Sequence, residues 1–266
     1  MKTKKRVLLT GGSRGIGLAI KNLLSETYDV VAPGREQLNL ESIESIDTFF
    51  RTERQFDIVI NNAGINIIKD TAAISYSDLR KINAVNLEAP LLLVQYCLPY
   101  MKFNGGGKIV NISSVWGLRS KEQRALYSGT KFGLIGYTRA WAREFAPNNI
   151  LVNAVCPGFT DTELTSSSLT NEQLNQIISS VPMHRLSSPI EIANLVLFLI
   201  SDENTFITGQ AIGIDGGVFG MKTLVIPSKI HDYHVNIDAS MASLKKVCSE
   251  NIGAVFFYRQ KCVCYL

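Results

Sequence analysis

Short apolar runs alternate with longer amphipathic stretches from Arg6 to about Gly217. Arg6-Val-Leu-Leu-Thr10 is the first run, and it breaks at glycines. From Gly15 to about Ser25, Ile16, Ala19, Ile20, Leu23 and Leu24 recur at i, i+3, i+4 spacing, which predicts a helix with one apolar face. Asp29-Val-Val-Ala32, Asp57-Ile-Val-Ile60, Lys108-Ile-Val-Asn-Ile112, Ile150-Leu-Val-Asn-Ala-Val155 and Ala211-Ile-Gly-Ile214 read as further strands. Strands this short and this continuously apolar, with helices between them, predict a parallel sheet covered on both faces. Right-handed crossovers make it a doubly wound α/β (Rossmann) sheet in one domain over residues 1–220.

Three stretches depart from this rhythm. Arg35-Glu-Gln-Leu-Asn-Leu40 runs almost directly from the second strand to what reads as the next one. Residues 161–188 are rich in Ser, Thr, Asn and Gln, with a weak helical pattern near Leu174 to Ile178. They read as a mobile insertion that covers the site and faces the substrate. Residues 221–266 form a C-terminal extension of unknown role, with a strand-like Thr223-Leu-Val-Ile-Pro227 and a helical pattern near Met241 to Val247.

Composition narrows the class. A chain of 266 residues that is 46% hydrophobic has ample core for one large domain. The net charge of +4 is mild and the basic residues are scattered, apart from Lys2, Lys4, Lys5 and Arg6, so no nucleic-acid footprint is expected. Val7-Leu8-Leu9 is too short for a secretory core, and no run approaches a membrane span, so a cytoplasmic protein is expected. The five cysteines form no paired framework and fit reduced thiols; Cys262 and Cys264 lack metal-ligand spacing, and no metal site is expected.

The glycine-rich turn Thr10-Gly-Gly-Ser-Arg-Gly-Ile-Gly17 joins the first strand to the first helix. Phosphate at such a turn needs backbone N–H groups at close range, where a Cβ would intrude, and the helix N-terminus adds partial positive charge. Gly11, Ser13, Arg14, Gly15, Ile16 and Gly17 are therefore candidate dinucleotide ligands. The second strand ends Val31-Ala32-Pro33-Gly34-Arg35, with no acid where a ribose-binding carboxylate is expected for NAD. Arg35 there, and Arg14 in the turn, favour the 2′-phosphate of NADP (NADPH) over NAD. Exposed surface arginines are the alternative.

Tyr127 and Lys131 stand four residues apart, on one face if the segment is helical. An ammonium beside a phenol stabilises the phenolate and draws the tyrosine toward the working range. Ser114, 13 residues before Tyr127, offers a hydroxyl to a developing oxyanion. A Tyr-x-x-x-Lys pair alone is common on helices; joined to Ser114 and the glycine turn it is not.

On these residues the chain, over 6 to about 220, resembles the short-chain dehydrogenase/reductase family, and within it 3-oxoacyl-(acyl-carrier-protein) reductases. Asn61-Asn-Ala-Gly64 fits the family's motif on the adenine side, which assigns Asn62, Ala63 and Gly64 to the cofactor. Pro157-Gly-Phe-Thr-Asp-Thr162 fits its nicotinamide and phosphate segment, with Pro157, Gly158, Thr160 and Thr162. Gly209 to Gly217 looks like the last strand. Asn39-Leu40 replaces a frequent acid-aliphatic pair, leaving Leu40 near adenine, and the short 35–40 link lacks the usual helix. The resemblance implies catalytic residues Asn86, Ser114, Tyr127 and Lys131. Tyr127 gives a proton to the substrate oxygen, Lys131 tunes Tyr127 and holds the ribose, and Ser114 orients the oxygen. Asn86 either holds a water leading to Lys131 or braces a helix, and both may be true of one amide.

The substrate is then a small-molecule or acyl-carrier-bound carbonyl, against an apolar wall of Trp116, Leu118, Phe159 and Leu164. The apolar helices expected around Tyr127–Ala146 and Pro189–Ile200 imply a homo-oligomer, a tetramer or a dimer. A non-catalytic NADP-binding sensor of the same fold is the alternative, and a nucleotide-sugar epimerase a weaker third.

Overall fold

The computed structural model describes residues 4–166 and 170–219. Six parallel strands form one sheet in the order β2-β1-β3-β4-β5-β6. They are β1 (Arg6–Leu9), β2 (Asp29–Val31), β3 (Ile58–Asn61), β4 (Gly107–Ile112), β5 (Ile150–Pro157) and β6 (Ala211–Ile214). Each matches an apolar run to within two residues.

The period of two along each strand divides the core into two layers. Leu8, Val59, Ile109 and Val152 face one layer, which is closed by Phe50 of α2 (Ile43–Thr52), Leu93 of α4 (Ala89–Phe103) and Trp141 of α5 (Ala125–Phe145). Val7, Leu9, Ile58, Ile60, Val110 and Val155 face the other, closed by α1 (Gly15–Leu24) and α8 (Pro189–Ile200). Between β3 and α4 come α3 (Tyr76–Asn83) and a π-helical turn, Ala84–Glu88. The segment after β5 holds α6 (Glu163–Ser166) and α7 (Asn171–Ser180). The weak pattern at 174–178 is thus part of a longer helix, started by a capping box between Thr170 and Gln173.

One expectation is corrected. Residues 35–40 make turns and hold no helix, but they do not lead directly into the next strand, because a helix follows them before β3. β2 is the edge strand of the sheet and pairs with β1 alone. Leu38 and Leu40 serve the core layer. The helix α2 is short but well specified: Ser42 accepts the Ser45 N–H at its start, and Ile46 and Phe50 are buried.

Among the described residues no helix is long and apolar enough to cross a membrane. The patterns read at 223–227 and 241–247 lie outside the described residues.

Candidate active site

The glycine turn is clamped from β3. Thr10 Oγ1 accepts the N–H groups of Asn62 (3.1 Å) and Ala63 (3.0 Å), and Asn62 Nδ2 donates to the carbonyls of Thr10 (2.9 Å) and Gly11 (3.0 Å). A Cβ on Gly17 would stand 1.9 Å from the Gly11 carbonyl oxygen, so only glycine lets the helix start this close to the turn. Gly11 and Gly15 hold φ of +68° and +53°. The first turn of α1 carries no acid, and Arg14 at its N-cap makes no side-chain capping bond, which leaves the helix N-terminus open to an anion.

This turn floors a cavity of about 460 Å³. Gly11, Ser13, Arg14, Gly15, Ile16, Gly17, Arg35, Leu40, Asn62, Ala63, Gly64 and Thr162 all line it. The Thr162 methyl approaches within 3.3 Å of where a Gly15 Cβ would be, so the covering segment meets the turn directly. Close-set glycines, an uncapped helix start and the guanidinium groups of Arg14 and Arg35 fit a dinucleotide's phosphates. Pro157, Gly158 and Thr160 stand at the end of β5 outside this lining; Thr160 is buried and its hydroxyl accepts from Ser187 at 2.9 Å. Lys21, Glu41 and Val85 also line the cavity, unforeseen from the sequence. Lys21 shares a helix with the turn, a signal that was legible; Glu41 had none, lying ten positions beyond Val31.

Tyr127 and Lys131 share one face of α5, with Lys131 Nζ 5.6 Å from the Tyr127 ring centre. Lys131 is buried and donates to the Ile112 carbonyl at 2.8 Å. Burial lowers its pKa to about 8. Burial raises the Tyr127 hydroxyl, against the weaker opposing pull of the Ser114 hydroxyl and of the Arg124 charge. The expected lowering by Lys131 is therefore not the dominant effect: its ammonium is turned to a carbonyl, and the charge that opposes burial is that of Arg124 at the α5 N-cap. Ser114 also caps a short turn, its Oγ accepting the Trp116 N–H at 3.1 Å.

Asn86 sits in the π-helical turn, with both hydrogens of its amide engaged and one bond to its oxygen. Its Oδ1 accepts the Ile65 N–H, and its Nδ2 donates to the Ile65 carbonyl and to Thr130 Oγ1. That is the bracing role, tying the loop after β3 to α5. Gly64 joins the two halves of the site. It lines the cavity, and Lys131 Nζ lies 3.3 Å from the position of its absent Cβ.

Trp116 packs edge-on against Phe159 (6.3 Å) and Phe219 (5.6 Å), giving an aromatic wall beyond Ser114. Leu118 is not part of it; it packs against Ile135, Ala154 and Cys156. The Leu164 side chain lies outside the described residues. Among the described residues no cluster of His, Cys, Asp and Glu is arranged to hold a metal ion.

Lys131 makes a pH prediction. Between about pH 8 and about pH 10.5 the folded chain has released a proton that an unfolded lysine still binds, so stability rises with pH across that window. Below about pH 8 the ammonium is charged in both states and its burial is fully destabilising. Denaturant midpoints across the window should climb more steeply for the natural protein than for Lys131→Met; parallel curves would contradict the shifted lysine.

A family profile described as enoyl-(acyl carrier protein) reductase matches residues 37–219. The 3-oxoacyl-(acyl-carrier-protein) reductase FabG of Aquifex aeolicus is 41% identical over 217 residues, covering 80% of this chain and 87% of that one. Among solved structures, ElxO with NADP bound superposes with a TM-score of 0.76 at 30% identity, covering 82% of this chain and all of that one. A 4-hydroxyisoleucine dehydrogenase complexed with NADH superposes at 0.77 and 33% identity, with the same coverage.

Proposed function

Because the chain belongs to the short-chain dehydrogenase/reductase family of NAD(P)-dependent oxidoreductases, we propose that it reduces the carbonyl of a 3-oxoacyl thioester, with NADPH as the preferred nucleotide. The observation that carries this reading is Gly64. It lines the nucleotide cavity, and the Nζ of Lys131 stands 3.3 Å from the position a Cβ would take on it, so the lysine adjoins the cavity wall.

A bound nicotinamide would supply the hydride. The chain's own residues do the rest. Ser114 donates a hydrogen bond to the carbonyl oxygen and fixes its direction. Tyr127, held protonated by burial, gives that oxygen its proton as charge develops, and this favours the reducing direction. Lys131, half-charged near pH 8, returns the proton to Tyr127 and reaches ribose hydroxyls when it leaves the Ile112 carbonyl. Asn86 positions this set through Ile65 and Thr130. Gly11 to Gly17, Asn62, Ala63 and Thr162 would hold the phosphates and adenosine. Arg14 and Arg35 support the choice of the 2′-phosphate, Leu40 would take the adenine side, and Pro157, Gly158 and Thr160 the nicotinamide side.

The wall of Trp116, Phe159 and Phe219 supports an acyl chain, and Arg119 and Lys121 stack on its rings, which suits an acidic carrier. Residues 1–220 carry the activity. Phe132 on α5 and Phe198 on α8 remain 46% and 39% exposed, which supports pairing of these helices between copies in a homo-oligomer.

The test is NADPH oxidation by the purified full chain, its size first measured by light scattering. Acetoacetyl thioesters, on coenzyme A and on an acyl-carrier protein, should be reduced with higher kcat/KM than simple ketones, by an assembly larger than a monomer. Equal efficiency on simple ketones would refute the substrate class, and a monomer would refute the assembly.

A further inference from the structure

The turn that carries Arg35 is held at both ends. The Gly34 carbonyl accepts from the N–H groups of Gln37 (3.1 Å) and Leu38 (2.9 Å), and the Gln37 side chain returns to the Gly34 N–H at 3.1 Å. Leu38 is buried and Leu40 packs on the same core layer. Asn39 then makes an Asx turn, its Oδ1 accepting the Glu41 N–H at 3.1 Å, while its own N–H donates to Ser45 Oγ at 2.9 Å. These contacts fix the backbone of Glu41 at the wall of the nucleotide cavity. From there its carboxylate accepts from Arg35 Nη2 at 2.8 Å.

The pair creates a competition. A 2′-phosphate needs the Arg35 guanidinium, which Glu41 already holds, and the carboxylate repels the phosphate besides. A ribose without that phosphate needs an acceptor for its hydroxyls, and a carboxylate is the usual one. The end of β2 lacks an acid, but Glu41 brings one to Arg35 from ten positions further along.

We propose that Glu41 sets the nucleotide preference. It opposes the 2′-phosphate at Arg35 and offers its carboxylate to the ribose hydroxyls of the unphosphorylated nucleotide, so that the chain accepts both. This rests on the reading that Arg35 takes the 2′-phosphate. Arg35 is largely exposed and its bond to Glu41 is a surface pair, so the bond itself yields readily to a competing dianion.

The experiment is calorimetric titration of the full chain with NADP+ and with NAD+, for the natural protein, Glu41→Gln and Arg35→Ala. Glutamine keeps the size and removes the charge. In Glu41→Gln the ratio of the two dissociation constants should move toward NADP+ by about tenfold, the scale of one charge-assisted contact, with NADP+ tighter and NAD+ weaker. In Arg35→Ala, NADP+ alone should weaken. A Glu41→Gln ratio within about twofold of the natural one, with Arg35→Ala still weakened for NADP+, overturns the role of Glu41 alone. NADP+ binding unchanged in Arg35→Ala refutes the phosphate reading at Arg35 and the inference with it.

Discussion

Tyr127→Phe is expected to lower kcat by roughly 10²–10⁴-fold, the range for loss of a positioned proton donor. Nucleotide affinity should stay within about twofold, because the ring remains and only the hydroxyl goes. The argument is local. Burial keeps the hydroxyl protonated, outweighing the lowering influence of the Ser114 hydroxyl and the Arg124 charge. Removing it leaves Ser114 and Lys131 in place but nothing to complete the alcohol. Single-turnover rates with saturating NADPH separate this from a binding defect. A variant that keeps more than about a tenth of the natural rate would show that another group delivers the proton.

The second large effect is at the opposite end of the site. In Gly17→Ala the new Cβ would lie 1.9 Å from the Gly11 carbonyl oxygen and 2.5 Å from Asn62 Nδ2. Neither neighbour can yield cheaply, since Asn62 Nδ2 bonds the carbonyls of both Thr10 and Gly11. Overpacking of this kind costs about 1–3 kcal/mol and sometimes more, and a backbone contact belongs at the upper end. The turn must swing off the helix start, which separates the N–H groups that a phosphate needs. Nucleotide affinity should fall about a hundredfold or more, with a lower melting temperature. Unchanged affinity would mean that the phosphates sit elsewhere.

Sequence and structure agree best where a residue's chemistry leaves it few choices. The glycine turn is legible because Gly11, Gly15 and Gly17 tolerate geometries and approaches that other residues do not. The central strands β1, β3, β4 and β5 are legible because both their faces are buried. The helix between the 35–40 link and β3 escapes the sequence because only Ile46 and Phe50 of α2 are buried, too few positions to set a period. Two parts of the site were closed to sequence reading. Whether Asn86 braces a helix or holds a water depends on Ile65 and Thr130, which are distant in the chain. The Arg35–Glu41 pair depends on a turn set by the hydrogen bonds of Gly34 and Asn39 and by the packing of Leu38 and Leu40 on the core. Tyr127 carries the same lesson: the cation four residues away was expected to govern it, and burial does.

The central claim is that hydride passes directly between the nicotinamide of a dinucleotide whose phosphates lie at the glycine turn and a carbonyl carbon beside Tyr127. It is tested most directly by reduction of an acetoacetyl thioester with NADPH carrying deuterium at the transferable C4 position. The account predicts a 3-hydroxy thioester one mass unit heavier, labelled at the carbinol carbon, from the natural protein and almost none from Tyr127→Phe. Product without the label, or equal product from the two proteins, would contradict it.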